Sequence, residues 1–162
     1  MLEKWGFRPD WWRNQRGEYW VLGQAVLGVV FILLPVVPVG TLPMSIKLPL
    51  VLGLGAAGLF LGIGGIWHLG NNLTPLPHPM DDSHLVTAGV YGLVRHPIYA
   101  GVIFLALAYA LWHMSLWHGI CVVVFGLFFD RKAAQEEVWL TTKFPEYSAY
   151  QKSVKKLFPG IY

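Results

Sequence analysis

Charge is what this sequence has little of. Lys, Arg, Asp and Glu supply 13% of its 162 residues, against 55% apolar and 15% aromatic residues, which is about half the charged share of an ordinary soluble domain. The few charges are also segregated. None lies between Glu18 and Lys47, between Lys47 and Asp81, or between Pro97 and Phe129. Cysteine is nearly absent as well. The one thiol, Cys121, sits inside an apolar run, which excludes an internal disulfide, argues against a cysteine-based metal site and suits a small hydrophobe facing lipid or a neighbouring helix. The first 18 residues are charged and rich in Trp and do not read as a cleavable signal peptide.

What is there is three long apolar runs. A transmembrane helix needs about 20 mostly apolar residues at 1.5 Å each to cross a hydrocarbon core of roughly 30 Å. Residues 19–37 and 48–69 each meet that length, the first ending at Pro35 and Pro38 and the second carrying Gly53, Gly55, Gly58, Gly62, Gly64 and Gly65. Gly58 and Gly62 form a GxxxG-like step of the kind that lets helices approach closely in lipid. The third run, 97–129, is 33 residues long, too long for one crossing and just short of two full ones. Its most polar part, Trp112 to His118, carries interfacial aromatics, so a helical hairpin is expected there, with His113 and His118 interfacial.

The basic residues test this. With four crossings, Lys4, Arg8, Arg13, Arg16, Arg95, Arg131, Lys132, Lys143, Lys152, Lys155 and Lys156 share one side and only Lys47 faces the other. That bias predicts an all-α polytopic membrane protein of about four transmembrane helices, with both termini cytoplasmic. It also accounts for the net charge of +3 by topology, without nucleic acid. The expected single membrane domain divides into a cytoplasmic segment 1–18, two helices over 19–70, a cytoplasmic loop 71–96, a hairpin 97–129 and a cytoplasmic C-terminal part 130–162. A hairpin returns Asp130 to the face that Pro97 left, making His96 a neighbour of the Arg131 to Glu137 stretch.

Those two polar segments hold the candidate chemistry. The loop is stiffened by Pro75, Pro77 and Pro79 and runs into Leu85-Val86-Thr87-Ala88-Gly89-Val90-Tyr91 and Val94-Arg95-His96-Pro97-Ile98-Tyr99-Ala100-Gly101. After the hairpin come Glu136-Glu137 and Phe144-Pro145-Glu146-Tyr147-Ser148-Ala149-Tyr150. Each piece has a bland reading. Arg95 serves equally as a membrane-face anchor, His96-Pro97 as a helix start, and Glu136 as the solvated partner of Lys132 four residues before it. His68 and His78 read as packing or loop residues, and the Tyr-rich basic tail suits anionic lipid.

Taken in order, these motifs resemble the isoprenylcysteine carboxyl methyltransferase and phospholipid methyltransferase superfamily, from about Asn71 to the C-terminus. The resemblance implies S-adenosylmethionine-dependent methyl transfer to a lipidic or prenylated acceptor at the cytoplasmic membrane face. Carried over residue by residue, it implies cofactor contacts from His84, Leu85, Val86, Tyr91, Arg95, His96, Tyr99 and Glu136. It places Arg131, or its neighbour Lys132, against the acceptor, with Arg131 and Glu137 as the catalytic pair. No metal, nucleic acid or obligate protein partner is implied. Phe144-Pro145-Glu146-Tyr147 is one residue shorter than the common Phe-Gly-Glu-Glu-Tyr, and Lys155-Lys156 stands where many relatives carry Arg.

The residue types suit such a cofactor. Its ammonium calls for Glu136 or Glu137, its carboxylate for Arg95, its adenine edge for His96 and its sulfonium for the ring of Tyr91 or Tyr99. Two other readings stay open: an NADPH-dependent sterol-type membrane reductase, which shares an Arg-His-Pro-x-Tyr element, and a haem-binding or assembly protein using the histidines.

Overall fold

A computed structural model describes residues 9–162. Lys4 and Arg8 of the expected N-terminal segment lie outside the described residues. The architecture is all-helical, with five α-helices: α1 (Glu18–Leu33), α2 (Met44–Leu69), α3 (Pro97–His113), α4 (Leu116–Lys143) and α5 (Tyr147–Ser153). Among the described residues there is no strand, only isolated bridges at Pro38 with Ser115 and Val94 with Lys155.

Local sequence explains where these helices stop. Leu34 precedes Pro35 and is extended, at φ −61° and ψ 137°, because the proline ring disfavours a helical residue before it. The first helix therefore ends at Leu33, four residues short of the expected 37. Pro97 opens α3 at a position where its missing N–H costs nothing. Between α3 and α4 the chain reverses at Met114, whose left-handed φ of 49° closes α3 with its N–H on Ala110 and Leu111, so the expected hairpin turn falls at residues 114–115. The second helix starts earlier than expected, at Met44, and accommodates Pro49 in its second turn. One helix then runs straight through the chemical boundary at Asp130. α4 is apolar to Phe129 and charged beyond it, and its 28 residues span about 42 Å.

Ring and glycine contacts fix the arrangement. Tyr99 stacks on Phe129, and the Tyr109 ring meets His118 at a tilt, so α3 and α4 are antiparallel. Gly65 meets Pro97 and Ile98 while Gly58 meets Leu105, so α2 and α3 are antiparallel too. Trp20 packs on Phe128 and Phe31 on His118 and Phe125, which makes α1 antiparallel to α4. The start of α1, the end of α2, the start of α3 and the charged half of α4 thus gather at one end. Lys47 stands at the other, over the Trp112 ring.

The α2–α3 seam is very close. A Cβ on Gly101 would lie 2.7 Å from the Gly62 nitrogen and 2.8 Å from the Gly58 oxygen, so the expected small-residue packing face is present at these positions. A Cβ added at Gly53 or Gly55 would meet nothing within 4 Å beyond its own helix. The run Gly53-Leu54-Gly55-Ala56-Ala57-Gly58 has dinucleotide-loop spacing, but it lies inside α2 with no strand before it, so it builds no such loop. His118, expected at an interface, is buried and bonded to Ser115 at 2.7 Å. Cys121 packs among Ile103, Ala106 and Phe125.

Among the described residues, only the helical segment Met44–Asn72 is by itself long and apolar enough to cross a membrane; Glu18–Leu33 and Pro97–His113 are shorter apolar helices. In its apolar 18-residue stretch, 11% of the residues are buried by the rest of the protein. Trp67, Phe60 and Ile63 project outward from it.

Candidate active site

The site forms where the polar ends of the helices meet the loop and the C-terminal tail. Backbone bonds place its central pair: Arg95 N–H donates to Lys155 at 2.8 Å and His96 N–H to Lys156 at 3.1 Å. The tail therefore holds Arg95 and His96 just ahead of α3. The Lys156 ammonium itself is engaged by Asp130 at 2.6 Å, which also accepts from the Tyr162 hydroxyl at 2.8 Å.

Adjacent residues on a helix point about 100° apart, and Glu136 and Glu137 use that difference. Glu137 turns inward. It accepts Arg95 Nε at 2.8 Å, meets His96 Nε2 at 3.0 Å and accepts Gln151 Nε2 at 3.0 Å. Burial pushes the Glu137 carboxyl up, but the bonds from His96 and Arg95 outweigh it and hold it at about 2. Arg95 also donates through one terminal nitrogen to the carbonyls of Gln151, at 3.1 Å, and Val154. Glu136 turns to α3, where its Oε2 accepts the Tyr99 hydroxyl at 2.7 Å and lies 3.8 Å from His96 Nδ1. The rings of His96 and Tyr99 are parallel, 5.4 Å apart.

These groups wall a cavity of about 370 Å³, within the size range of sites for small molecules. The loop 73–86 closes over it and is tied down at several points. Asn72 donates to the His84 carbonyl at 3.0 Å. The Lys143 ammonium, from the end of α4, donates to the Asp81 carbonyl at 2.8 Å, the Ser83 hydroxyl at 2.9 Å and the Met80 carbonyl. Arg16 reaches Asp81 at 3.1 Å. Below the loop, Tyr150 donates to the Tyr91 carbonyl at 2.6 Å.

The eight residues expected to hold a cofactor, His84, Leu85, Val86, Tyr91, Arg95, His96, Tyr99 and Glu136, all line this one cavity. The two named as catalytic do not. Arg131 is exposed and turned away, because α4 presents Lys132 to the cavity and Arg131 stands about 100° round the helix from it. Glu137 lies behind Arg95 and His96, its carboxylate fully engaged. The bland pairing of Lys132 with Glu136 is not formed either, since the ammonium goes to Gln24 at 2.6 Å and the Pro75 carbonyl at 3.2 Å.

Four more cavity residues carry no role in the sequence reading: Gln24, Asn72 of the loop, and Tyr147 and Tyr150 of the Phe-Pro-Glu-Tyr-x-x-Tyr motif. Gln24 had a signal, as the one amide side chain in the charge-free run 19–46, where a polar group in an apolar helix points to function. Tyr147 matters for ligand fit. It is 1% exposed, lines the cavity and leaves its hydroxyl without a partner. Burial, with Glu137 and Glu136 next, pushes that hydroxyl's pKa up, so it stays a donor at neutral pH.

The matched region coincides with this assembly. A family model described as phospholipid methyltransferase matches residues 47–147, from the first turn of α2 to Tyr147. The chain belongs to the phospholipid methyltransferase family. A protein-S-isoprenylcysteine O-methyltransferase of Dictyostelium discoideum is 35% identical over 104 residues, which cover 57% of this chain and 41% of that relative. The chain thus spans well under half of that relative's length. The family match takes in all eight cavity residues named from the sequence, along with Lys132, while Gln24 and Tyr150 fall outside it.

Proposed function

We propose that the protein transfers a methyl group from S-adenosylmethionine to a lipidic acceptor at the cytoplasmic face of a membrane. One observation carries this reading: one cavity gathers an acid, a base, aromatic faces and an orphaned buried hydroxyl in a chain of the phospholipid methyltransferase family. These donors fit the cofactor. The Glu136 carboxylate suits an ammonium, the Arg95 terminal nitrogen that has no protein partner suits a carboxylate, and the rings of Tyr91 and Tyr99 suit a sulfonium. His96 and the Tyr147 hydroxyl are placed to read an adenine edge or ribose.

When bound, S-adenosylmethionine supplies an electrophilic methyl on a cationic sulfur. The protein's own contribution is placement and dryness. Glu137 holds Arg95 and His96 at fixed orientation, Tyr99 locks the Glu136 carboxylate, and the loop tied by Lys143 keeps water out. For an in-line displacement such positioning supplies most of the acceleration.

Membrane immersion is part of the proposal. Four antiparallel apolar segments with their polar ends together, and an α2 that leaves its apolar surface uncovered, suit a bundle set in lipid with the charged end cytoplasmic. The segments 1–18, 19–70, 71–96, 97–129 and 130–162 are then the cytoplasmic, membrane and site parts of a single domain. The reductase and haem readings gain no support from the relatives found.

Calorimetry on detergent-purified protein tests the assignment. S-adenosylmethionine binds saturably, and His96→Ala and Glu136→Ala each weaken it by about tenfold or more while the protein stays folded, as expected when a hydrogen bond to a charged ligand group is lost. Binding of NADPH alone, or unchanged S-adenosylmethionine affinity in both variants, refutes it.

A further inference from the structure

A covered cavity needs a way in. The loop 73–86 contributes residues from Leu73 to Val86 to the cavity lining, and much of the rest comes from the helices. A charged, water-soluble cofactor is strongly disfavoured from crossing the apolar seams between those helices. The loop is therefore where it must pass.

The loop is held at a base and at a tip. At the base, Asn72 donates to the His84 carbonyl at 3.0 Å and pins the two ends of the loop together. The tip is a turn from Met80 to Ser83, closed by the Ser83 N–H on the Met80 carbonyl at 3.1 Å. Two cations from elements far apart in sequence grip that turn. Lys143, the last residue of α4, directs all three of its donors to it. Arg16, just before α1 and outside the family match, reaches both oxygens of the Asp81 carboxylate, at 3.1 and 3.3 Å. Neither Lys143 nor Arg16 lines the cavity. A loop fixed at its base and gripped by charges at an exposed tip swings open when the grip is released.

His78 sits within this grip. Its ring packs on Trp139 at 5.3 Å, one helical turn before Lys143, and its buried Nδ1 has no partner among the described residues. The charged groups around it are Arg16 from the segment before α1, Lys143 from α4 and Asp81 from the loop itself. A proton on His78 therefore adds a third cation to a cluster with one carboxylate. Burial first, and Arg16 next, hold the imidazole below its ordinary 6.5, so the closed loop keeps it neutral at pH 7. Opening returns it towards 6.5. The open form thus takes up the proton first, and closure weakens as pH falls below 6.5.

Resting on the methyltransferase reading, we infer that the loop 73–86 is the cofactor's gate, latched at its tip by Lys143 and Arg16 and released by protonation of His78. The two cations are positioning residues. They act on the cofactor only through the loop.

Cysteine labelling tests this without needing a ligand. Leu76 lies under the loop at 3% exposure, so a bulky hydrophilic maleimide reaches a Leu76→Cys thiol only when the loop opens. Cys121, buried among Ile103, Ala106 and Phe125, reports any loosening of the whole bundle. In the full chain in detergent at pH 7.5, Lys143→Met should speed labelling at position 76 about tenfold and Arg16→Met about two- to fivefold. Arg16→Lys should restore most of the protection, and labelling of Cys121 should not change. Between pH 7.5 and 5.5, labelling corrected for thiol ionisation should rise about three- to tenfold, and His78→Asn should abolish the rise. Saturating S-adenosylmethionine should slow labelling at least about threefold. Unchanged labelling in both latch variants, or a rise matched at Cys121, overturns the inference. So does a pH response that is absent or survives His78→Asn, or S-adenosylmethionine that binds without slowing the reaction. If Lys143→Met does not fold, Arg16→Met decides. Protein that binds no S-adenosylmethionine refutes the methyltransferase reading separately, and the latch then stands or falls on the labelling alone.

Discussion

Replacing Glu137 with Gln tests the central joint of the site. The carboxylate takes bonds from Arg95, His96 and Gln151 at 2.8 to 3.0 Å. Its pKa of about 2 in the folded protein, against an ordinary 4.5, corresponds to about 3 kcal/mol of folding stability. The sign follows from a depressed carboxyl. That stability is complete above the unfolded value near 4.5 and is lost as pH falls through the folded value near 2. Glu137→Gln keeps the shape and removes the charge, leaving the Arg95 guanidinium partly buried beside a neutral amide. At pH 7 the variant should unfold about 6–12 °C below the wild type, since about 1 kcal/mol moves the midpoint of a chain this size by about 2–4 °C. The gap between the two proteins should close as pH is lowered from 5 to 2. Thermal unfolding in detergent, followed by circular dichroism across that range, reads both effects. A gap that is absent at pH 7, or that stays constant down to pH 2, refutes the account. Because Glu137 sits behind the cavity wall, the variant should also weaken S-adenosylmethionine binding through Arg95 and His96. The pH profile of turnover in the neutral range should keep its shape, which a catalytic base would not allow.

Two other outcomes check the frame around the site. Gly101→Ala puts a methyl where the Gly62 nitrogen is 2.7 Å away, and the overpacked seam should cost about 1–3 kcal/mol. Gly53→Ala, which meets nothing within 4 Å, is the control, and equal thermal stability of the two variants contradicts the close α2–α3 packing. Reporter fusions at the N-terminus, beside Lys47 and at the C-terminus should read inside, outside and inside, and a C-terminus outside would end the four-crossing arrangement.

Much of this protein is set by its sequence alone, because the determining forces are local or depend only on composition. Charge-free runs have one economical fate, an apolar environment, and prolines at Pro35 and Pro97 mark helix ends through backbone sterics. The Arg-His-Pro and Glu-Glu motifs were legible because they are contiguous. Their meeting followed from a hairpin whose turn is written in Trp112 to His118. Direction and depth were not legible. Whether Arg131 or Lys132 faces the cavity turns on about 100° of helix rotation, fixed by what α4 packs against. The same rotation separates Glu136, on the cavity, from Glu137, behind it. Gln24 lies 108 residues from Lys132 in sequence, and nothing along the chain links them. Their 2.6 Å bond exists because α1 folds antiparallel onto α4, and only the tertiary structure could decide that.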